Sequence, residues 1–212
     1  MKTKIAVKDL EVVAHEQLQT FSGKSLVLMI SGGSILRVLE GSRIKELDKS
    51  RWKVYFSDER VVPLTDKNSN FKCAEGFLKG VGSVFPVQTA LSHKEMVEDY
   101  REKLQNAKFD LAFLGIGEDG HIASIFPDSK TIDSADLVTL IEDSPKPPSE
   151  RVTVTPRMLS MVQKLVFLVP RLPNGALKGV EEPHFSILSH LNTDVLIAMP
   201  ESGVEEKAPL QE

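Results

Sequence analysis

The amino-acid order predicts an α/β fold: one domain built on a mostly parallel, twisted, Rossmann-like sheet with helices on both faces. Three observations predict it. The apolar runs Leu26–Ile30, Leu111–Leu114 and Leu165–Val169 show no alternation, as expected of strands buried on both faces. Segments with apolar residues at helical spacing lie between such runs, and strand–helix alternation is the pattern of parallel sheets. No internal repeat, low-complexity tract or linker divides the 212 residues, whose 41% hydrophobic content suffices for one substantial core.

Taken in order, Asp9 to Phe21 places Leu10, Val13, Ala14, Leu18 and Phe21 on one helical stripe, with His15 off it and solvated. Ser22-Gly23 ends that helix, and the run Leu26–Ile30 follows. Ser31-Gly32-Gly33-Ser34 then leads into Ile35, Leu36, Val38 and Leu39. This is strand, glycine turn and helix, an arrangement whose free N–H groups attract anions. Trp52 to Phe56 reads as the next strand, with Ser57-Asp58-Glu59-Arg60 at its end. A guanidinium makes paired bonds to phosphate, so Arg60 is a candidate phosphate or substrate contact; Asp58 is expected to organise the pocket, orienting Arg60 or hydroxyl groups.

Phe71, Ala74, Phe77 and Leu78 mark a further helix with Ser69-Asn70 near its cap. Ser92 to Glu95 matches a capping box, continued by Met96, Val97, Tyr100 and Leu104, and gives His93 a local, structural role. Beyond the central stretch, Leu137 to Ile141 is a short strand, and Ser144 to Glu150 is a loop stiffened by Pro145, Pro147 and Pro148. Arg151 leaves that loop at the start of a strand, and Thr155-Pro156 reads as an N-cap with proline at the first helical position. Leu191 to Met199 supplies a last strand, and Pro200 to Glu212 is expected to fray.

The stretch most charged with chemistry is Phe109 to Asp128. A buried strand surfaces there into Gly115-Ile116-Gly117-Glu118-Asp119-Gly120-His121, and ligands of open α/β sheets bind beyond the carboxyl ends of the strands. The glycines match the dinucleotide-binding fingerprint as a bare pattern, with Glu142 roughly where a ribose-binding acid would stand. Glu118 and Asp119 would repel a pyrophosphate, and Pro127 interrupts the helix that should follow.

Composition excludes several classes. A net charge of -4 without a Lys/Arg block leaves no footprint for nucleic acid. No apolar run approaches the roughly 18 residues of a membrane span, and no signal-peptide core follows Met1. The single cysteine, Cys73, reads as packing. A cytoplasmic monomer is expected, with neither cofactor nor metal.

The segment LGIGEDGHIASIFPDS resembles the signature of the 6-phosphogluconolactonases, within the wider glucosamine-6-phosphate isomerase/6-phosphogluconolactonase family. SGGS at Ser31, SDERVVP at Ser57 with Ser69-Asn70, and SPKPPSERVT at Ser144 match the same family in the same order. One departure is the loop after Ser34, where Ile35 follows at once instead of a threonine-proline segment. The resemblance implies that Gly32, Gly33, Ser34 and Gly117 help to hold a sugar phosphate and that Lys146 and Arg151 face it. Lys178, in a displaced Gly-x-x-Lys, would join them. The implied substrate is a sugar-phosphate lactone.

For such chemistry His121 is the candidate general base, and Asp119 the group that fixes its tautomer. Backbone N–H groups of the Gly115 to Gly120 turn are candidates for oxyanion stabilisation. Two other readings stay open: an amino-sugar-phosphate isomerase/deaminase and a non-catalytic sugar-phosphate sensor. Against the first, the deaminase branch carries a glutamate five residues after the histidine, where Phe126 stands here. Against the second, no DNA-binding helical domain accompanies the sheet.

Overall fold

The computed structural model describes residues 1–170 and 187–201. In chain order its elements are β1 (Lys2–Val7), α1 (Leu10–Leu18), β2 (Leu26–Ile30), α2 (Ile35–Leu39), α3 (Ser42–Lys45), β3 (Trp52–Phe56) and β4 (Asp58–Arg60). There follow α4 (Asn70–Cys73), α5 (Glu75–Leu78), β5 (Ser83–Phe85), α6 (His93–Gln105), β6 (Leu111–Leu114), β7 (Val138–Ile141) and β8 (Arg151–Val154). The last are α7 (Pro156–Leu159), β9 (Lys164–Leu168) and β10 (Asp194–Pro200).

Seven strands form a parallel sheet in the order β1-β10-β9-β6-β2-β3-β5. Its central strands β2, β6 and β9 are the continuous apolar runs, because both of their faces are covered by hydrophobic layers. On one face Val13, Ala14 and Leu18 of α1 pack with Leu28, Ile30 and Phe113; on the other, Met96, Tyr100 and Leu104 of α6 pack with Met29 and Ala112. The order of connection reverses beside β2: the chain goes outward to β3 and β5, then returns to place β6 on the opposite side. This switch leaves a crevice beyond the carboxyl ends of β2 and β6.

A second, antiparallel sheet, β4-β8-β7, stands over that crevice. It corrects the expectation for the charged residues after β3: Asp58-Glu59-Arg60 is a strand rather than a strand end, and Leu137–Ile141 contributes to this sheet. Elsewhere the expected helix from Asn68 to Leu78 is two short turns, α4 and α5, separated at Ala74. Pro200 and Glu201 do not fray, since Pro200 pairs with Val7 and the Glu201 N–H donates to the Val7 carbonyl at 3.1 Å. Residues 202–212 lie outside the described residues.

Cys73 is exposed, with its Sγ donating to the Lys67 carbonyl at 3.2 Å, so it is not a packing residue. His93 is not confined to its own turn either. Its ring faces Glu142 at 3.9 Å and Glu150 at 3.5 Å, acids at the two ends of the proline loop. Among the described residues no helix is long and apolar enough to cross a membrane.

Candidate active site

Four chain segments converge on one cavity of about 150 Å³, lined by Ser31 to Ile35, Asp58, Arg60, Gly115 to Gly117, His121, Ala123 and Arg151. The glycine turn after β2 forms its floor. Gly33 adopts φ +79°, which a side chain would resist, and a Cβ on Gly32 would meet the Asn70 amide at 1.9 Å. Ser34 and Gly33 also border a larger hollow of about 940 Å³ that opens alongside and reaches Glu118 and Lys146.

The wall opposite is built by the small sheet. In its register Arg60 stands directly across from Arg151, so two guanidinium groups share one cross-strand position. Like charges placed opposite one another destabilise a strand pair, and an anion between them removes the penalty. Their surroundings differ. Arg60 donates from one terminal nitrogen to the Asn68 carbonyl at 2.7 Å, while its buried Nε makes no hydrogen bond among the described residues. Arg151 is 3% exposed and commits at least three N–H groups to its own neighbourhood: Pro148 O at 3.1 Å, Lys146 O at 2.8 Å and Ser124 Oγ at 3.3 Å. Burial, and then the nearby Arg60 charge, pull the Arg151 guanidinium below its ordinary pKa. Arg151 is therefore as much a brace for the proline loop as a contact for an anion.

Asp58 organises the pocket, though not by holding Arg60. Its buried carboxylate accepts from Ser124 Oγ at 2.7 Å, from Asn70 Nδ2 at 3.2 Å and from Ser57 Oγ at 3.3 Å. Ser57 in turn bonds Ser31 at 2.8 Å, which ties the glycine turn to the same network. Beside it Glu59, fully buried, accepts from the backbone N–H groups of Arg60, Asn70 and Phe71 and from Ser69 Oγ. Burial raises the Glu59 pKa against the opposing pull of those N–H bonds. Ser124, Asn70 and Glu59 were legible only as cap, charge-run or unremarked residues. Their tell, a polar side chain between apolar neighbours, becomes informative once strand ends are known.

His121 forms the remaining wall. Its Nδ1 contacts Asp119 Oδ1, which leaves Nε2 as the nitrogen free for proton transfer. The ring lies 5.0 Å from that of Phe126, and the Arg151 guanidinium sits over the same phenyl ring, 5.9 Å from its centre. Gly117 is required by contact: a Cβ there would come within 2.1 Å of the imidazole. Partial burial works against ionisation of Asp119, but its bond to His121 and the Lys146 ammonium at 3.2 Å hold the carboxyl below the ordinary aspartate range. The expectation for the backbone of the Gly115 to Gly120 turn narrows. The N–H groups of Gly117 and Gly120 donate to His121 O and Gly117 O, both at 2.9 Å, so those two are not available to an oxyanion.

Gly32, Gly33, Ser34, Asp58, Arg60, Gly117, His121 and Arg151 thus border one cavity. Asp119 and Lys146 sit behind the imidazole, and Lys178 lies outside the described residues. Among the described residues no group of three or more His, Cys, Asp or Glu side chains is arranged to hold a metal ion.

Comparison with known proteins places these features in context. The family model described as glucosamine-6-phosphate isomerases/6-phosphogluconolactonase matches residues 3–171. A probable 6-phosphogluconolactonase 4, chloroplastic, of Oryza sativa subsp. indica is 36% identical over 62% of this chain and 48% of its own length. A probable 6-phosphogluconolactonase of Schizosaccharomyces pombe is 33% identical over 66% of this chain and 65% of its own. The chain thus spans about half the length of the rice relative. The crystal structure of 6-phosphogluconolactonase from Thermotoga maritima superimposes with a TM-score of 0.78 at 27% identity, covering 93% of this chain and 99% of that one.

Proposed function

The chain belongs to the glucosamine-6-phosphate isomerase/6-phosphogluconolactonase family, and from that premise we propose that it hydrolyses 6-phospho-D-glucono-1,5-lactone to 6-phosphogluconate. The observation that carries the proposal is the shared cavity, with Arg60 and Arg151 at one wall and His121, backed by Asp119, at another. The two guanidinium groups and the turn of Gly32, Gly33 and Ser34 suit a phosphate. The lactone carbonyl, several bonds away, then faces Nε2.

In this reading Nε2 of His121 takes one proton from a water whose oxygen bonds to the lactone carbon. Asp119 holds the Nδ1–H tautomer and stabilises the imidazolium that forms. When the bond from that carbon to the ring oxygen breaks, the departing oxygen takes the proton back from Nε2. Water is consumed, a carboxylic acid and a hydroxyl are formed, and the histidine is regenerated. No step asks for a metal or a cofactor. The working form is taken to be a cytoplasmic monomer; the chloroplast belongs to the rice relative by its name.

Phe126 stands against the deaminase alternative, because a phenyl ring packed on the imidazole cannot carry a proton. The test is a coupled assay with freshly prepared 6-phosphogluconolactone, with glucosamine 6-phosphate as control. Rapid turnover of the lactone alone is expected, and His121→Ala should lose about 10²- to 10⁴-fold of the enzymatic rate above spontaneous hydrolysis. Binding without turnover would favour a sensor, and release of ammonia from the control would favour the deaminase.

A further inference from the structure

We propose that Lys146 is a positioning residue that sets the basicity of His121: its ammonium shares Asp119 Oδ1 with the imidazole and opposes a second positive charge on the ring. The geometry is unusual for a lysine that merely faces a ligand. Nζ lies 3.2 Å from Asp119 Oδ1 and 3.4 Å from His121 Nδ1. With Nδ1 donating its proton to Asp119, Nδ1 and Nζ are both donors, so the 3.4 Å approach is a contact of charge rather than a hydrogen bond. A positive charge at that distance opposes a second one on the ring.

The lysine is held in place by its backbone. Its carbonyl accepts from Arg151 at 2.8 Å and from Ser144 Oγ at 3.0 Å, its N–H donates to Ser144 Oγ at 3.3 Å, and Ser144 N closes the loop on Ser149 O at 3.0 Å. Other charges face the histidine too. Asp119 touches it, Glu118 adjoins it, and Asp58, Arg60 and Arg151 line its cavity from β4 and β8. Of these cations only Lys146 lies within 4 Å of the ring nitrogen and of its carboxylate partner together. The ammonium also helps to keep Asp119 ionised, so a single side chain touches both members of the pair.

Removing the charge should act in one direction. Without it the imidazolium gains Asp119 undivided and loses a repulsive neighbour, so the histidine holds its proton to higher pH. A unit charge at this separation in a largely aqueous setting shifts an ionisation by about one pH unit. The kinetic arm of this inference rests on the lactonase reading; its spectroscopic arm does not.

The experiment is an NMR titration of the His121 ring in the ligand-free protein, its signal assigned by its absence from His121→Gln. In Lys146→Met the midpoint should rise by about one pH unit, and in Lys146→Arg it should return to near the wild-type value. The acid limb of kcat/KM should move with it, costing about tenfold below the limb. A Lys146→Met titration superposable on wild type overturns the proposal, as does a KM raised equally at every pH with the limb unmoved. If wild-type protein hydrolyses no lactone, the functional reading fails, whereas the ring titration still decides the role of Lys146.

Discussion

Ser124 joins the two halves of the site. It donates to Asp58 and accepts from Arg151 while its backbone N–H donates to Thr153 Oγ1 at 3.1 Å, so one hydroxyl links a carboxylate on β4 to a guanidinium on β8. Ser124→Ala would leave buried groups on both sides short of a partner. It should destabilise the protein by about 1–3 kcal/mol in urea unfolding. A midpoint unchanged from wild type would mean that Asp58 is held by Asn70 and Ser57 alone. Arg60 makes only one described side-chain bond, so Arg60→Ala should act on the ligand, raising KM about ten- to a hundredfold with kcat little changed. Asp119 adds a pH argument. Its folded pKa is depressed, so its contribution to stability is complete above the unfolded value and is lost as pH falls through the folded one, below about pH 4. Any loss of activity between pH 5 and 7 therefore belongs to another group, and Asp119→Asn should lower kcat without abolishing that limb.

Elements fix these side chains by filling gaps in the sheet. At the end of β3, past the reach of β5, the Tyr100 hydroxyl donates to the Phe56 carbonyl at 2.6 Å and accepts from its N–H at 2.8 Å. Burial raises the phenol's pKa far above its ordinary value, so the group stays protonated and can do both. Tyr100→Phe should cost about 1–3 kcal/mol, measured by thermal unfolding, because a buried N–H and C=O lose their partner just before Ser57 and Asp58. The stripe containing Tyr100 was legible as a helix face, yet the hydroxyl's target was not, since it depends on where a strand forty-four residues earlier runs out of neighbours. The small sheet was hidden for a related reason. β4 is three residues long and all charged, too short for periodicity to speak, and only its pairing with Arg151–Val154 makes it a strand. β1 escaped notice because its edge position leaves lysines alternating with half-buried residues.

At the scale of the molecule, the parallel sheet was legible because buried strands carry their own signal, and the site because ligands of such sheets bind beyond the carboxyl ends of the strands; the switch beside β2 became visible only with the strand order. What could not be read was how two sheets would close on the crevice, or that Arg151 would brace a loop as well as face the cavity. That architecture has a thermodynamic consequence. A phosphate held between the turn after β2 and the paired arginines would join the parallel sheet to the small antiparallel one, and binding to the folded state alone stabilises it by about 2.7 kcal/mol at a hundredfold excess over Kd. For a chain of this size that is roughly a 5–10 °C rise in melting temperature. The product of the proposed reaction, 6-phosphogluconate, should produce this rise in wild type and in His121→Ala, which keeps the arginines. Arg60→Ala should lose most of it. An equal rise in wild type and Arg60→Ala would place the anion away from the small sheet, and the two arginines would then be opposed across β4 and β8 with nothing between them to offset their repulsion.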